Sequence, residues 1–181
     1  THVAGTIAAY DNNEGVVGVY PGVDMHIVKI FNDNGQWTYA SDLIDAITQC
    51  QDAGSNVVNM SLGGGSSSTT ERNAMQSFTD AGMLLVAAAG NDGNSAKSYP
   101  ASYDAVMSVA AVDSNENRAS YSQYNDQVEI AAPGSAVQST YPTNTYASLS
   151  GTSMATPHVA GGAALVWSYF PQCSNNQIRS A

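Results

Sequence analysis

The chain has 181 residues, with 15 acidic side chains against five basic ones and a formal net charge of −10. With 43% hydrophobic residues it carries enough apolar material for one buried core, and so acidic a balance argues against nucleic acid or an anionic membrane as a partner. No apolar run approaches the roughly 20 residues that span a bilayer, and the first residues lack a charged-then-apolar signal pattern.

In chain order, residues 1–10 are small and apolar and predict a helix that starts without a capping lead-in, as though an element had been cut. Asp11-Asn12-Asn13-Glu14-Gly15 is a turn cluster, and Pro21-Gly22 breaks the run that follows it. Residues 25–31, with Ile27, Val28, Ile30 and Phe31, predict a strand. A polar loop over 32–36 leads to a helix capped by Ser41 or Asp42, with Leu43, Ile44 and Ile47 on one face and Ala53-Gly54 closing it. The unit repeats with a strand at 56–60, a Gly/Ser loop at 63–68 and a helix at 70–81 presenting Ala74, Met75 and Phe78 on one face. Residues 83–89 are continuously apolar, as in a parallel strand buried on both sides, although periodicity equally allows a buried helix. Further strands are predicted at 105–112, 128–131 and 137–140, then a long helix from 153 to 169 and a capping box from Ser174 to Gln177. Alternating strands and helices with no linker imply one α/β domain over 1–181, built on a mostly parallel sheet.

Three stretches carry chemical interest. In Gly151-Thr152-Ser153 a serine stands at the start of the long helix, where unpaired N–H groups and a partial positive charge favour an anion. That suits acyl transfer, in which a carbonyl oxygen gains negative charge; a plain N-cap serine is an equally open reading. Ser61-Leu62-Gly63 and Ala88-Ala89-Gly90-Asn91 fall at predicted strand ends, where α/β sheets bind ligands. Their glycines allow close backbone approach, an extended peptide can pair there as an added strand, and Asn91 offers an amide donor. Taken alone, each is more commonly a simple turn. Cys50 and Cys173 permit one disulfide, two free thiols being equally allowed, and no CxxC or His-rich cluster supports metal binding by cysteine.

Four motifs in matching order, Thr1-His2-Val3-Ala4-Gly5-Thr6, Val58-Asn59-Met60-Ser61-Leu62-Gly63-Gly64, Ala87-Ala88-Ala89-Gly90-Asn91 and Gly151-Thr152-Ser153-Met154-Ala155-Thr156-Pro157-His158, resemble the subtilisin-like serine endopeptidases over essentially the whole chain. The resemblance implies a three-layer α/β fold with a mostly parallel central sheet flanked by helices, here lacking the N-terminal strands. It implies Ser153 as nucleophile, and Asn91 together with the Ser153 N–H as oxyanion donors. Residues 33–37, among them Gly35, Gln36 and Trp37, and Ser61-Leu62-Gly63 resemble the two walls that sandwich an extended substrate. Ala88, Ala89 and Gly90 line the pocket for the residue before the cut, with Thr152 beside them. Protein or peptide substrates, a propeptide partner, a monomeric intact protein and secretion come with the family, which uses no catalytic metal or organic cofactor.

The resemblance also implies what this stretch lacks. The family's base is the first histidine of a His-Gly-Thr-His-Val motif whose third residue matches Thr1, and its aspartate comes earlier still. His158 follows Ser153 by five positions, which on a helix is about 500° of rotation and about 7.5 Å of rise, pointing it away from the serine hydroxyl. His26 falls in a predicted strand, where a packed or hydrogen-bonded histidine is the commoner reading, and His2 matches a helix position facing away from the family's nucleophile. The chain alone is therefore expected to be an incompetent, marginally stable protease fragment, cut at both ends. Tyr10, Asn12, Glu14 and Val16 resemble half of the family's calcium loop, offering three carbonyls and one amide oxygen, although an Asx-rich turn also describes them. A disulfide between Cys50 and Cys173 would join two peripheral helices. An α/β-hydrolase fails because no acid follows Ser153 before the chain stops, and strand-helix alternation contradicts a β-barrel protease. The remaining rival is a non-catalytic subtilase-like module that binds peptides or serves as a structural domain.

Overall fold

The computed structural model describes residues 1–32 and 40–181; the sequence-predicted wall residues Gly35, Gln36 and Trp37 lie outside the described residues. The elements run α1 (His2–Ala8), α2 (Ala40–Asp52), β1 (Val57–Met60), α3 (Thr69–Asp80), β2 (Leu84–Ala88), β3 (Val106–Val112), β4 (Val128–Pro133), β5 (Val137–Tyr141), β6 (Thr145–Leu149), α4 (Thr152–Tyr169) and α5 (Asn175–Arg179). Strands β1 to β4 form a parallel sheet in chain order, and β5 pairs with β6 in a separate antiparallel hairpin.

The continuous apolar run becomes β2, buried along its whole length. Alternation along the strand divides the core. Leu85 and Ala87 pack with Leu43 and Ile47 of α2 and Met75 and Phe78 of α3, while Leu84 and Val86 pack on the other face with Ala155 and Ala160 of α4 and Ile178 of α5. Burying each large aliphatic side chain of this kind stabilises by about 1.5–3 kcal/mol, and truncating Leu85, which is fully buried, would leave a cavity in the centre of the molecule. Helix α4 packs across all four parallel strands, so its first turn is carried to the carboxyl end of the sheet. The α/β fold with helices on both faces of a mostly parallel sheet is thus the observed architecture.

Three expectations are corrected. Residues 25–31 do not form a strand: the segment lies outside every assigned strand, with Ile27 69% exposed. It faces β1 across a cavity of about 320 Å³ that both line, together with Ile7 of α1 and Ile47 of α2. A β-favouring run becomes a strand only when another backbone lies within hydrogen-bonding reach. The disulfide is also overturned. Both thiols are free; Cys50 packs against the core on the α2–α3 face and Cys173 against the core on the α4–α5 face, with the sheet between them. Burial pushes the Cys50 thiol up from its ordinary value, which disfavours its thiolate. Finally β6, which has no strand counterpart in the sequence reading, is held to β5 by a turn in which Thr143 and Asn144 take positive φ of 63° and 58°.

The start of α3 shows a departure from a local motif. Ser68 caps the helix by accepting the Glu71 N–H at 3.4 Å, and Ser68-x-x-Glu71 fits a capping box. The return bond is relayed instead. Ser68 N–H donates to Tyr103 Oη at 2.8 Å, and Tyr103 Oη donates to Glu71 Oε2 at 2.6 Å. Burial raises the Glu71 carboxyl, the Tyr103 hydrogen bond offsetting part of that rise. Burial first, then the Glu71 bond, pushes the Tyr103 hydroxyl up to about 12 from an ordinary 10.0. Because the folded value lies above the unfolded one, this contribution is complete below pH 10.0 and is lost as the pH rises through about 12. Melting temperature should therefore fall more steeply over that window in the native protein than in Tyr103→Phe; parallel profiles would contradict the relay.

Candidate active site

Ser153 lies in the first turn of α4, but it does not cap the helix. Gly151 is the N-cap and has no side chain to offer; its N–H donates to the Gly134 carbonyl at 2.9 Å. The cap comes from the turn after β2. Asn91 Oδ1 accepts the Thr152 N–H at 2.8 Å and the Thr152 hydroxyl at 2.9 Å. An amide N–H can only donate, so this contact settles the orientation of the Asn91 side chain. Its Nδ2 is left as a donor beside the helix N-terminus, with no hydrogen bond to a described residue.

A second feature fixes the serine from the other side. Pro157 lies inside α4 and has no N–H, so the Ser153 carbonyl loses its usual partner four residues on. Ser61 supplies the missing donor. Its Oγ donates to the Ser153 carbonyl at 2.8 Å, and Ser153 Oγ donates back to the Ser61 carbonyl at 3.2 Å. Asn59 Nδ2, on β1, donates to Ser61 Oγ at 2.9 Å. The serine is thus tied to the end of β1 through both its main chain and its side chain.

These groups open on a cleft of about 470 Å³ lined by Leu62, Gly63, Ala88, Gly90, Asn91 and Ser153, with Thr152 beside them. Gly63 lies close against the neighbouring loop: a Cβ there would sit 2.6 Å from Ser98 Oγ and 3.3 Å from the Tyr99 carbonyl oxygen. The adjacent Gly64 pairs in antiparallel fashion with Tyr99, through bonds of 2.8 and 2.7 Å. Two of the predicted substrate-binding residues are not part of the cleft lining itself. Ala89 is buried, with its N–H on the Val109 carbonyl at 3.0 Å, and Ser61 adjoins the cleft only through its bonds to Ser153.

No described histidine is hydrogen-bonded to Ser153 Oγ. His158 Nδ1 donates to the Met154 carbonyl within its own helix at 2.9 Å, and burial lowers its pKa below the ordinary value. His2 is buried, its Nε2 donating to the Val137 and Ala147 carbonyls of the β5–β6 hairpin at 3.0 and 3.1 Å. His26 is exposed on the 25–31 segment, which lies outside every assigned strand, and is not packed. In the Tyr10, Asn12, Glu14 and Val16 loop, Asn12 Oδ1 accepts the Glu14 N–H at 3.1 Å. Among the described residues no group of three His, Cys, Asp or Glu side chains is placed to hold a metal.

Sequence reasoning missed Gln123. It is 3% exposed, lines the cleft, donates its main-chain N–H to the Gly90 carbonyl at 3.0 Å and its Nε2 to the Ala96 carbonyl at 2.6 Å. Nothing in Tyr121-Ser122-Gln123-Tyr124, a polar run between turns, signals that position.

The family model described as "Subtilase family" matches residues 1–181. The chain is a subtilase. It is 50% identical over 184 residues to subtilisin DY of Bacillus licheniformis, covering 99% of this chain and 67% of that protein. It is 53% identical over 179 residues to a thermostable alkaline protease of Halalkalibacterium halodurans, covering 99% of this chain and 49% of the other. Among solved structures it superimposes on the psychrophilic subtilisin-like protease Apa1 of Pseudoalteromonas sp. AS-11 with a TM-score of 0.91 and 34% identity, over 99% of this chain and 76% of that one. A protease of Pseudoalteromonas arctica PAMC 21717 matches at 0.93 and 37%, over 99% and 61%. The subtilase chain therefore spans about half to two-thirds of the length of these two protease relatives. Among the described residues no helix is long and apolar enough to cross a membrane.

Proposed function

We propose that the full-length protein is a serine endopeptidase that cuts polypeptides through an acyl-enzyme on Ser153. The observation that carries this reading is the meeting, in one cleft, of Ser153 and an Asn91 amide whose orientation leaves Nδ2 as a donor beside the α4 N-terminus. Ser153 Oγ attacks the substrate carbonyl carbon while its proton passes to the family's general base, the histidine that the resemblance places upstream of Thr1. The carbonyl oxygen becomes an oxyanion, and donors already fixed in place there stabilise it without reorganisation. Those donors are Asn91 Nδ2 and the Ser153 N–H. The amide C–N bond then breaks, the amine leaves with the proton, and water releases the acyl group by the same steps in reverse order. Ser61-Leu62-Gly63 serves as an edge against which the substrate backbone pairs. An extracellular location and a propeptide partner accompany the reading through the family resemblance.

Reaction of the full-length protein with a fluorophosphonate, followed by peptide mapping, tests it. One label at Ser153, absent from Ser153→Ala, is expected; peptide binding without labelling would assign the chain to a non-catalytic peptide-binding module instead.

We further propose that Tyr10, Asn12, Glu14 and Val16 supply half of a structural calcium site. Neutral carbonyl and amide oxygens suit this hard cation, which takes six to eight oxygen ligands, and the single N–H bonded to Asn12 Oδ1 leaves that oxygen a second lone pair. When bound, the ion would tie this turn to donors elsewhere in the longer chain. Calcium is expected to raise the melting temperature of the full-length protein and to do so less in Asn12→Ala; equal responses would remove the site.

A further inference from the structure

Gly90 stands between the substrate pocket and the oxyanion donor, in a backbone conformation with φ of +111° that L side chains rarely adopt. Glycine enters that region at little cost, and it leaves as readily. Something must therefore hold it. Its N–H donates to Thr152 Oγ1 at 3.2 Å, which fixes the peptide plane before it. Its carbonyl accepts the Gln123 N–H at 3.0 Å, and that carbonyl belongs to the peptide plane joining Gly90 to Asn91. The open side of its Cα is covered by the Gln123 amide, close enough that a Cβ at Gly90 would fall 1.7 Å from Gln123 Oε1.

Gln123 is itself immobilised. It is 3% exposed, and its Nε2 is committed to the Ala96 carbonyl at 2.6 Å. The preceding Ser122, wholly buried, accepts the Ala111 N–H of β3 at 3.0 Å. The loop after Asn91 is pinned to the same stretch, Gly93 N–H on the Tyr121 carbonyl at 2.7 Å and Tyr124 N–H on the Asn94 carbonyl at 3.0 Å. A run of contacts thus leads from the sheet through Ser122 and Gln123 to the residue that precedes Asn91.

We propose that Gln123 is a positioning residue for the oxyanion donor: its buried amide braces the Gly90–Asn91 turn so that Asn91 Nδ2 meets the developing oxyanion. The inference rests on the peptidase reading above. Thr152 orients the Asn91 side chain; Gln123 holds the backbone from which that side chain projects. Oxyanion stabilisation is sensitive to such placement, because a donor helps only within hydrogen-bond distance of the transition-state oxygen.

The test is a double-mutant cycle in the full-length protein, with kcat expressed per fluorophosphonate-titrated site so that misfolded molecules are not counted. Gln123→Ala keeps the main-chain bond to Gly90 but removes the brace, and should lower kcat by about tenfold with KM within about twofold, as expected for loss of an interaction made in the transition state. In an Asn91→Ala background the same substitution should change kcat by less than about twofold, since there is no donor left to misplace. Gln123→Asn, which only withdraws the amide by one methylene, serves the same cycle if the alanine variant does not fold, with a smaller loss of about threefold expected by the same logic. An unchanged kcat in the Asn91 wild-type background, or an equal loss in both backgrounds, would overturn the assignment. Retention of activity by Ser153→Ala would instead remove the peptidase reading itself, so the two failures are distinguishable.

Discussion

Replacing Ser153 with alanine in the full-length protein should lower kcat by about 10⁶-fold with little change in KM, a magnitude carried over from a related subtilisin rather than from this geometry. The substitution removes one hydroxyl that donates to the Ser61 carbonyl at 3.2 Å, in a half-buried position, so the fold should survive and the melting temperature should move little. The residual rate would report substrate binding and the oxyanion donors alone. A chain limited to residues 1–181 should resemble that variant, giving no burst of acylation with an activated ester. Its three histidines are engaged or placed elsewhere: His158 within α4, His2 on the β5–β6 hairpin and His26 on an exposed segment. A stoichiometric burst from that chain would mean that a base other than the family's histidine serves Ser153.

Asn91→Ala should lower kcat by about 10² to 10³-fold, again a magnitude known from a subtilisin, for loss of one oxyanion donor. Here the geometry adds a complication. Asn91 Oδ1 is also the acceptor for the Thr152 N–H and hydroxyl, and Thr152 is fully buried. Alanine therefore leaves two donors short of a partner at the helix start, a cost of about 1–3 kcal/mol for each that is not rescued by water. Asn91→Asp separates the two roles. It retains the acceptor for Thr152 and should recover most of the melting temperature lost by alanine, yet it has no N–H to offer and carries a negative charge towards the oxyanion. Its kcat should be as low as that of alanine or lower. If aspartate restored activity together with stability, Asn91 would be acting through helix capping alone.

The parts of this molecule that sequence made legible are those whose signal is local. A continuous apolar run can only be buried, and it became β2; Ser174 and Gln177 form the capping box that their spacing implies, with both of its bonds present. That Ser153 and Asn91 line one cleft was legible because four motifs fell in family order around them. The failures share a different cause. Residues 25–31 carry a strand's composition, but strand formation depends on a neighbouring backbone, which no local pattern encodes. The hairpin partner β6 is a short Thr-Tyr-Ala-Ser-Leu stretch whose place depends on a turn at Thr143 and Asn144. Cys50 and Cys173 invite pairing by number alone; only the alternation of β2 between two cores shows that a sheet separates them. The Gln123 bond to Gly90 and the Ser61 bond to Ser153 join residues 33 and 92 positions apart in sequence, a pairing that no local pattern encodes.

Pro157 has a consequence beyond the bond that it deletes. In an uninterrupted helix the carbonyl of Ser153 would be referenced to the next turn of α4, so any tilt of the helix would carry Ser153 with it. Here that carbonyl is referenced to Ser61, at the end of β1. On the peptidase reading proposed above, the nucleophile would share its datum with the edge along which a substrate lies, and not with the body of its own helix. A small tilt of α4 against the sheet should then leave the separation of Ser153 and Ser61 nearly unchanged, because two hydrogen bonds span it.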